Sequence, residues 1–213
     1  MNKSYHDLRS EYLHAELDES DVSNNPFGQF GQWMDEAIKA KVLHPTAMML
    51  ATAGKDGQPS ARIVLLKNAN EKGFTFFTNY DSHKSCQMAE NPQAVISFFW
   101  MAVERQIRIE GRVEKVGRDE SEEYFHSRPY ESKLSAIVSP QSKTVQSRHQ
   151  LETAKQKLKD EYADQELGCP ENWGGFVLVP DYFEFWQGRE SRLHDRITYT
   201  RTNTVWEIRR IAP

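Results

Sequence analysis

The sequence predicts a mainly β fold with peripheral helices (an α+β chain), most simply an antiparallel barrel. Short runs of alternating apolar residues recur through most of the chain, and tight turns separate them, Lys55-Asp56-Gly57-Gln58 being the clearest hairpin signal. Strands and helices do not alternate regularly, and no GxGxxG motif is present, which argues against a doubly wound or (β/α)8 architecture. The whole chain, residues 1–213, reads as a single domain, with residues 1–25 as a partly ordered N-terminal arm.

That arm carries six Asp/Glu against Lys3 and Arg9, and Leu8, Tyr12, Leu13 and Leu17 offer only a weak apolar stripe. A helix is expected to start at Asn25-Pro26, since Asn is a good N-cap and Pro suits the first helical position. Phe27, Phe30, Met34, Ala37, Ile38 and Lys41 follow at helical spacing, and His44-Pro45 should end it. Strands are expected over 46–53, 60–67 and 74–79. A short helix capped by Ser82 should then run to Glu90, before strands over 94–100 and 105–116. Residues 119–127 read as a helix stopped at Arg128-Pro129. A longer polar helix is expected over 142–162 with Ser142 as its cap. Strands resume over 175–179, 182–187, 192–200 and 205–211.

Composition narrows the function classes. A formal charge of -4 and a pI near 6.0 argue against general nucleic-acid binding, which needs cations to neutralise phosphates. The longest apolar stretch, residues 94–103, is about half of what a membrane span requires. The opening residues contain no apolar h-region, so a cytoplasmic protein is expected. Cys86 and Cys169 lie far apart, and no Cys/His spacing suits a metal.

Four features could carry chemistry. In an extended strand, Arg192, His194 and Arg196 would share a face, either as a solvated basic edge or as a seat for an anion or electron-rich ligand. Upstream, Phe183 and Phe185 should face the core, with Glu184 and Trp186 opposite. The flat Trp186 could meet a planar ring or simply pack. Arg62 and Lys67 bound the apolar run Ile63-Val64-Leu65-Leu66. Five residues apart in a straight strand they face opposite sides, as strand-end solubility or as two separate anion sites. Tyr124, Arg128 and Ser132 could clamp a phosphate, and the helix start at Gln141-Ser142 could attract one or merely be capped.

The segments PTAMMLATAGKDGQPSARIVLLK, EKGFTFFTN, ERQIRIEGRVEKV, YFHSRP and FEFWQGRESRLHDR, with the closing IAP, resemble the pyridoxamine (pyridoxine) 5'-phosphate oxidase family along nearly the whole chain. The resemblance implies an antiparallel FMN-binding split β-barrel and a homodimer with FMN at the interface. It also implies oxidation of pyridoxamine 5'-phosphate or pyridoxine 5'-phosphate to pyridoxal 5'-phosphate, with molecular oxygen reduced to hydrogen peroxide. No nucleic acid, membrane or metal is implied.

Carried over by motif, the flavin contacts would be Arg62, Ile63, Val64, Leu65, Leu66, Lys67, Phe77, Thr78, His83, Lys84, Gln106, Gln141, Ser142, Trp186 and Arg196. The family usually has Arg-Lys where this chain has His83-Lys84, and histidine supplies a less constant charge near neutral pH. Lys67, Tyr124, Arg128 and Ser132 would hold the substrate phosphate. Arg192 and His194 would flank the reacting carbon as the catalytic pair, and Arg9 and Tyr12 of the arm would cover the site. Two other readings are a flavin- or haem-binding split barrel without oxidase activity and an NAD(P)H-dependent flavin reductase. The bare barrel would not need both the Trp186/Arg192/His194/Arg196 group and the Tyr124/Arg128/Ser132 clamp, and the reductase needs a nicotinamide site that the sequence does not advertise.

Overall fold

The computed structural model of the chain describes Tyr12, residues 15–163 and residues 165–213. The described elements run in the order α1 (Pro26–Lys39), β1 (Ala47–Ala53), β2 (Pro59–Leu65), β3 (Asn68–Asn70), β4 (Gly73–Asn79), α2 (His83–Glu90), β5 (Gln93–Trp100) and β6 (Arg105–Lys115). Then come α3 (Arg118–Ser127), α4 (Tyr130–Val138), α5 (Arg148–Tyr162), β7 (Trp173–Gln187), β8 (Asp195–Thr202) and β9 (Val205–Arg210). The strands form one sheet in the order β2-β1-β5-β6-β7-β4-β3, with β8 on β7 and β9 on β8. The pairings β3–β4, β4–β7, β7–β8 and β8–β9 are antiparallel. No helix among the described residues is long and apolar enough to cross a membrane.

The chain divides into two compact units. One is Met1–Met49, Val95–Glu110 and Pro180–Pro213; the other is Leu50–Ala94 and Gly111–Val179. The long strand β7 contributes to each. Its first half pairs with β4, from Phe74↔Leu178 to Asn79↔Trp173, and its second half with β8, from Tyr182↔Thr200 to Gln187↔Asp195. Separate strands over 175–179 and 182–187 were expected, but β7 continues through Pro180, which falls between its ladder with β4, ending at Leu178, and its ladder with β8, starting at Tyr182, so neither of these two needs the missing N–H.

In the first unit α1 lays Phe30, Trp33 and Ala37 into a core with Phe98, Phe183, Phe185 and Tyr199. Trp33 meets Phe185 edge-on at 5.2 Å, and Phe30 meets Phe98 at 5.4 Å. Asn25 caps the helix as expected, its side chain accepting from the Phe27 N–H at 2.9 Å. The helix ends before His44-Pro45. Lys41 takes a left-handed φ of 55°, the Val42 N–H reaches Ala37 O and the Lys41 N–H reaches Ile38 O, which closes a Schellman turn.

The second unit has its own aromatic core of Phe125, Leu134, Leu167 and Trp173. Helix α4 supplies Leu134 and was not expected from the sequence. Pro129 was read only as a stop, yet it also opens the next helix, its carbonyl accepting from Ser132 N–H at 2.8 Å. Helix α5 begins at Arg148 rather than at residue 142. Its cap is Ser147, whose Oγ accepts from Gln150 N–H at 3.2 Å, whereas Ser142 has a left-handed φ of 70° in the preceding loop.

Gly73 opens β4 at a φ of 139°, and a Cβ there would lie 2.1 Å from the Leu178 carbonyl oxygen. The close approach of two backbones admits no side chain at this point. Gly73→Ala is expected to lower the unfolding free energy by at least about 1–3 kcal/mol, read as a lower urea midpoint at unchanged m-value.

Candidate active site

The second unit contains a cavity of about 680 Å3. Strand β2 lines it with Arg62, Ile63, Val64 and Leu65, and β4 with Phe77 and Thr78. Tyr124 of α3, Arg128, Ser132 of α4 and Gln141 complete the polar wall with Lys67 and Lys84. Among the described residues, Arg62, Lys67, Lys84 and Arg128 line this cavity and no Asp or Glu does.

Arg62 and Lys67 were expected on opposite sides of a strand; both line this one cavity. Strand β2 ends at Leu65, and past it the Lys67 N–H donates to Thr75 O at 2.9 Å, so the straight-strand spacing does not hold at Lys67. Leu66 is buried and does not line the cavity.

Each cation is held by neutral groups. Arg62 donates to Thr52 Oγ1 at 2.5 Å and to Ser60 Oγ at 2.6 Å. Lys84 Nζ donates to Gln141 Oε1 at 2.7 Å, Thr78 Oγ1 at 3.0 Å and Ser82 Oγ at 3.1 Å. The guanidinium of Arg128 lies 4.8 Å from the Trp173 ring centre, and its Nη1 is buried with no hydrogen-bond partner among the described residues. Tyr124 stacks on Phe77 at 4.0 Å, and Lys67 Nζ lies 5.8 Å from the Tyr124 ring centre.

Burial pushes down the pKa of Arg62 and of Arg128. Lys84 is pushed down to about 8, first by burial and then by the charge of Arg62. Uncompensated buried charge is costly, so an anion that restores neutrality is the favoured occupant. His83, the first residue of α2, is exposed and does not line the cavity, and neither does Ser142.

The other expected site residues belong to the first unit. Gln106 is half-buried on β6. Trp186 on β7 pairs in register with Arg196 on β8. Arg196 Nε donates to Glu184 Oε1 at 2.8 Å, and Arg108 donates to Glu184 Oε2 at 2.6 Å. Burial alone would raise the pKa of Glu184; the hydrogen bonds from Arg196 and Arg108 outweigh it and hold it below the usual value. Glu184 and Arg108 were not expected at the site. The available signal was the carboxylate that alternation put on the Trp186 face.

Arg192, His194 and Arg196 do not share a strand face. Glu190–Arg192 form a single 3-10 turn in which Ser191 and Arg192 take φ of 54° and 63°, and β8 starts only at Asp195. The turn brings the Arg189 N–H to His194 Nδ1 at 3.0 Å. An acceptor Nδ1 leaves the proton of the neutral ring on Nε2. The His194 ring lies 4.7 Å from Trp186, and Tyr12 meets both edge-on, at 5.5 Å from Trp186 and 5.6 Å from His194. Arg9 falls outside the described residues.

A family model described as pyridoxamine 5'-phosphate oxidase matches residues 34–160, and one described as the pyridoxine 5'-phosphate oxidase C-terminal dimerisation region matches residues 173–213. The chain is 50% identical to a pyridoxine/pyridoxamine 5'-phosphate oxidase of Trichormus variabilis, with 100% of each chain covered. It is 52% identical to one of Cupriavidus pinatubonensis, over 97% of this chain and 98% of that one. Among solved structures, PhzG from Burkholderia lata 383 in complex with tetrahydrophenazine-1-carboxylic acid aligns at a TM-score of 0.87 and 27% identity. That match covers 91% of this chain and 95% of the other, and it fixes the fold as the split barrel of these proteins.

Lys84 sets a pH dependence on the ligand-free protein. Below about pH 8 its charge is present folded and unfolded, and the folded state carries the desolvation cost. Between about pH 8 and its ordinary value of 10.5 the folded protein sheds the proton first, so stability rises with pH. The urea midpoint of the wild type should therefore gain on that of Lys84→Met across this window; equal slopes would refute the assignment.

Proposed function

The chain belongs to the pyridoxamine 5'-phosphate oxidase family, and on that premise we propose that it oxidises pyridoxamine 5'-phosphate or pyridoxine 5'-phosphate to pyridoxal 5'-phosphate. FMN is the cofactor. Molecular oxygen is the proposed electron acceptor and hydrogen peroxide the product. The observation that carries the reading is the cavity with four cations and no carboxylate among its described lining residues. FMN and either substrate each bring a phosphate monoester of about -1.5 to -2 charge near neutral pH, so two of them match the four cations.

The residues present fit FMN. Lys84 and Arg62, with Thr78 and Gln141, would hold its phosphate. The apolar run Ile63, Val64 and Leu65 would lie along the cofactor, with Phe77 beside it. Lys67, Tyr124, Arg128 and Ser132 would hold the substrate phosphate, Arg128 Nη1 gaining the partner it lacks. Gln106, Trp186 and Arg196 are proposed as further flavin contacts, Arg196 being aimed by Glu184. His83 and Ser142 stay outside the cavity lining and are the weakest members of the expected set. We place FMN at the interface of a homodimer. The match of residues 173–213 to a dimerisation region supports this, as do the exposed side chains of Ile63, Phe99 and Met101.

Bound FMN would supply the hydride-accepting and oxygen-reducing chemistry for the substrate carbon attached to the pyridine ring. The chain's task is to bind and align. His194 would present Nε2–H to the substrate as a donor, since Nδ1 is occupied by the Arg189 N–H; this favours positioning over proton abstraction. The Arg192 guanidinium is exposed on its strained turn, suited to orienting substrate and stabilising charge.

The deciding experiment is aerobic incubation with each phosphorylated vitamer, reading pyridoxal 5'-phosphate and peroxide. Tetrahydrophenazine-1-carboxylic acid serves as the contrasting substrate, because it offers a carboxylate but no phosphate. Product from the vitamers alone supports the reading, and turnover of the tricyclic compound alone refutes it. Arg128→Ala should raise the substrate KM by about ten-fold or more while FMN stays bound, the loss of one charge-assisted bond. Loss of FMN with an unchanged KM would mean that the two phosphate sites are interchanged.

A further inference from the structure

The described part of the arm is tied down by a compact ionic network in the first unit. Arg210 of β9 donates from Nε to Glu19 Oε1 at 2.9 Å and from Nη2 to Glu19 Oε2 at 2.7 Å. The same Nη2 reaches the Leu17 carbonyl at 2.9 Å, and Nη1 reaches Asp195 Oδ1 at 2.7 Å. The second oxygen of Asp195 accepts from the Leu17 N–H at 3.0 Å, and Arg189 pairs with Glu16 at 2.8 Å. Leu17 between them is 6% exposed. A bidentate guanidinium fixes its partner's orientation as well as its distance.

The segment so held follows Tyr12, and Tyr12 has a prepared seat. Gly188 lacks a side chain where a Cβ would fall 2.7 Å from Tyr12 Cγ, and the ring contacts Trp186 and His194. Asp195, which receives both Arg210 and the arm's backbone, directly follows His194 in the chain.

We propose that Arg210, acting with Asp195 and Arg189, is a positioning residue that straps arm residues 16–19 to β8 and β9 and so holds Tyr12 on Trp186 and His194. The strap retains substrate by keeping that ring in place, and Arg210 itself touches no reacting atom. This inference rests on the oxidase reading for its kinetic consequence, but not for the strap itself.

Amide hydrogen exchange on the FMN-loaded protein tests the strap without substrate. In Arg210→Ala the Leu17 amide should exchange about ten-fold faster or more. Glu19→Gln, which leaves the Arg210–Asp195 pair intact, should give a smaller increase and guards against general unfolding of the first variant. With pyridoxamine 5'-phosphate, Arg210→Ala should raise KM by about ten-fold with kcat nearly kept. Adding Tyr12→Ala to it should then cost less than about two-fold more, because the two residues act as a unit. Unchanged exchange in both strap variants overturns the proposal. So does a Tyr12→Ala penalty that is equal with and without Arg210. Wild-type protein that oxidises neither vitamer refutes the functional reading instead, and the exchange result still decides the strap.

Discussion

The cavity walls hold positive charge that no described lining residue neutralises, and the surrounding structure is arranged to tolerate it. Arg62, Lys67, Lys84 and Arg128 line one space with no carboxylate among its described lining residues. Neutral acceptors and aromatic faces take the place of counter-ions: Thr52, Ser60, Thr78 and Gln141 accept, and Trp173 and Tyr124 offer their rings. Such groups restrain cations without cancelling them, so the field stays directed at whatever enters. The aromatic core of Phe125, Leu134 and Trp173 fixes the walls, and the pull of burial on Lys84 and Arg128 is the physical sign of charge awaiting a partner.

Several arginines of the other unit are instead paired with carboxylates. Arg105 pairs with Glu36, Arg108 and Arg196 share Glu184, Arg189 pairs with Glu16, and Arg210 is divided between Glu19 and Asp195. A guanidinium with a carboxylate partner becomes a fixed strut whose direction is set; one held only by neutral groups faces the ligand. Arg196 combines the two, since Glu184 engages its Nε and the Ala212 carbonyl one terminal nitrogen. These arginines and the cavity cations therefore differ in charge pairing rather than in residue type.

The 3-10 turn at Glu190–Arg192 matters as much as any charge. Its left-handed residues turn the chain so that the Arg189 N–H meets His194 Nδ1, which selects the ring's tautomer through a backbone contact. Side-chain alternation along a strand, the basis for expecting Arg192, His194 and Arg196 together, has no bearing on residues outside the strand. The grouping expected from spacing assumed a strand that begins only at Asp195.

Periodicity and turn chemistry were enough to determine the mainly β class, the Asn25 cap, the buried Phe183 and Phe185, and most strand positions, because each depends on residues close together in the chain. Motif likeness likewise identified Tyr124, Arg128, Ser132, Lys67 and Lys84, which the structure gathers in one cavity. Tertiary structure alone decided which cations lack counter-ions, since Glu184, Glu19 and Asp195 meet their arginines across strands or from the far end of the chain. It also decided that Arg62 and Lys67 look into the same space, that Pro129 starts a helix as well as ending one, and that Ser147 rather than Ser142 caps α5. Local preference allows several outcomes at each of these points, and long-range packing and pairing select among them.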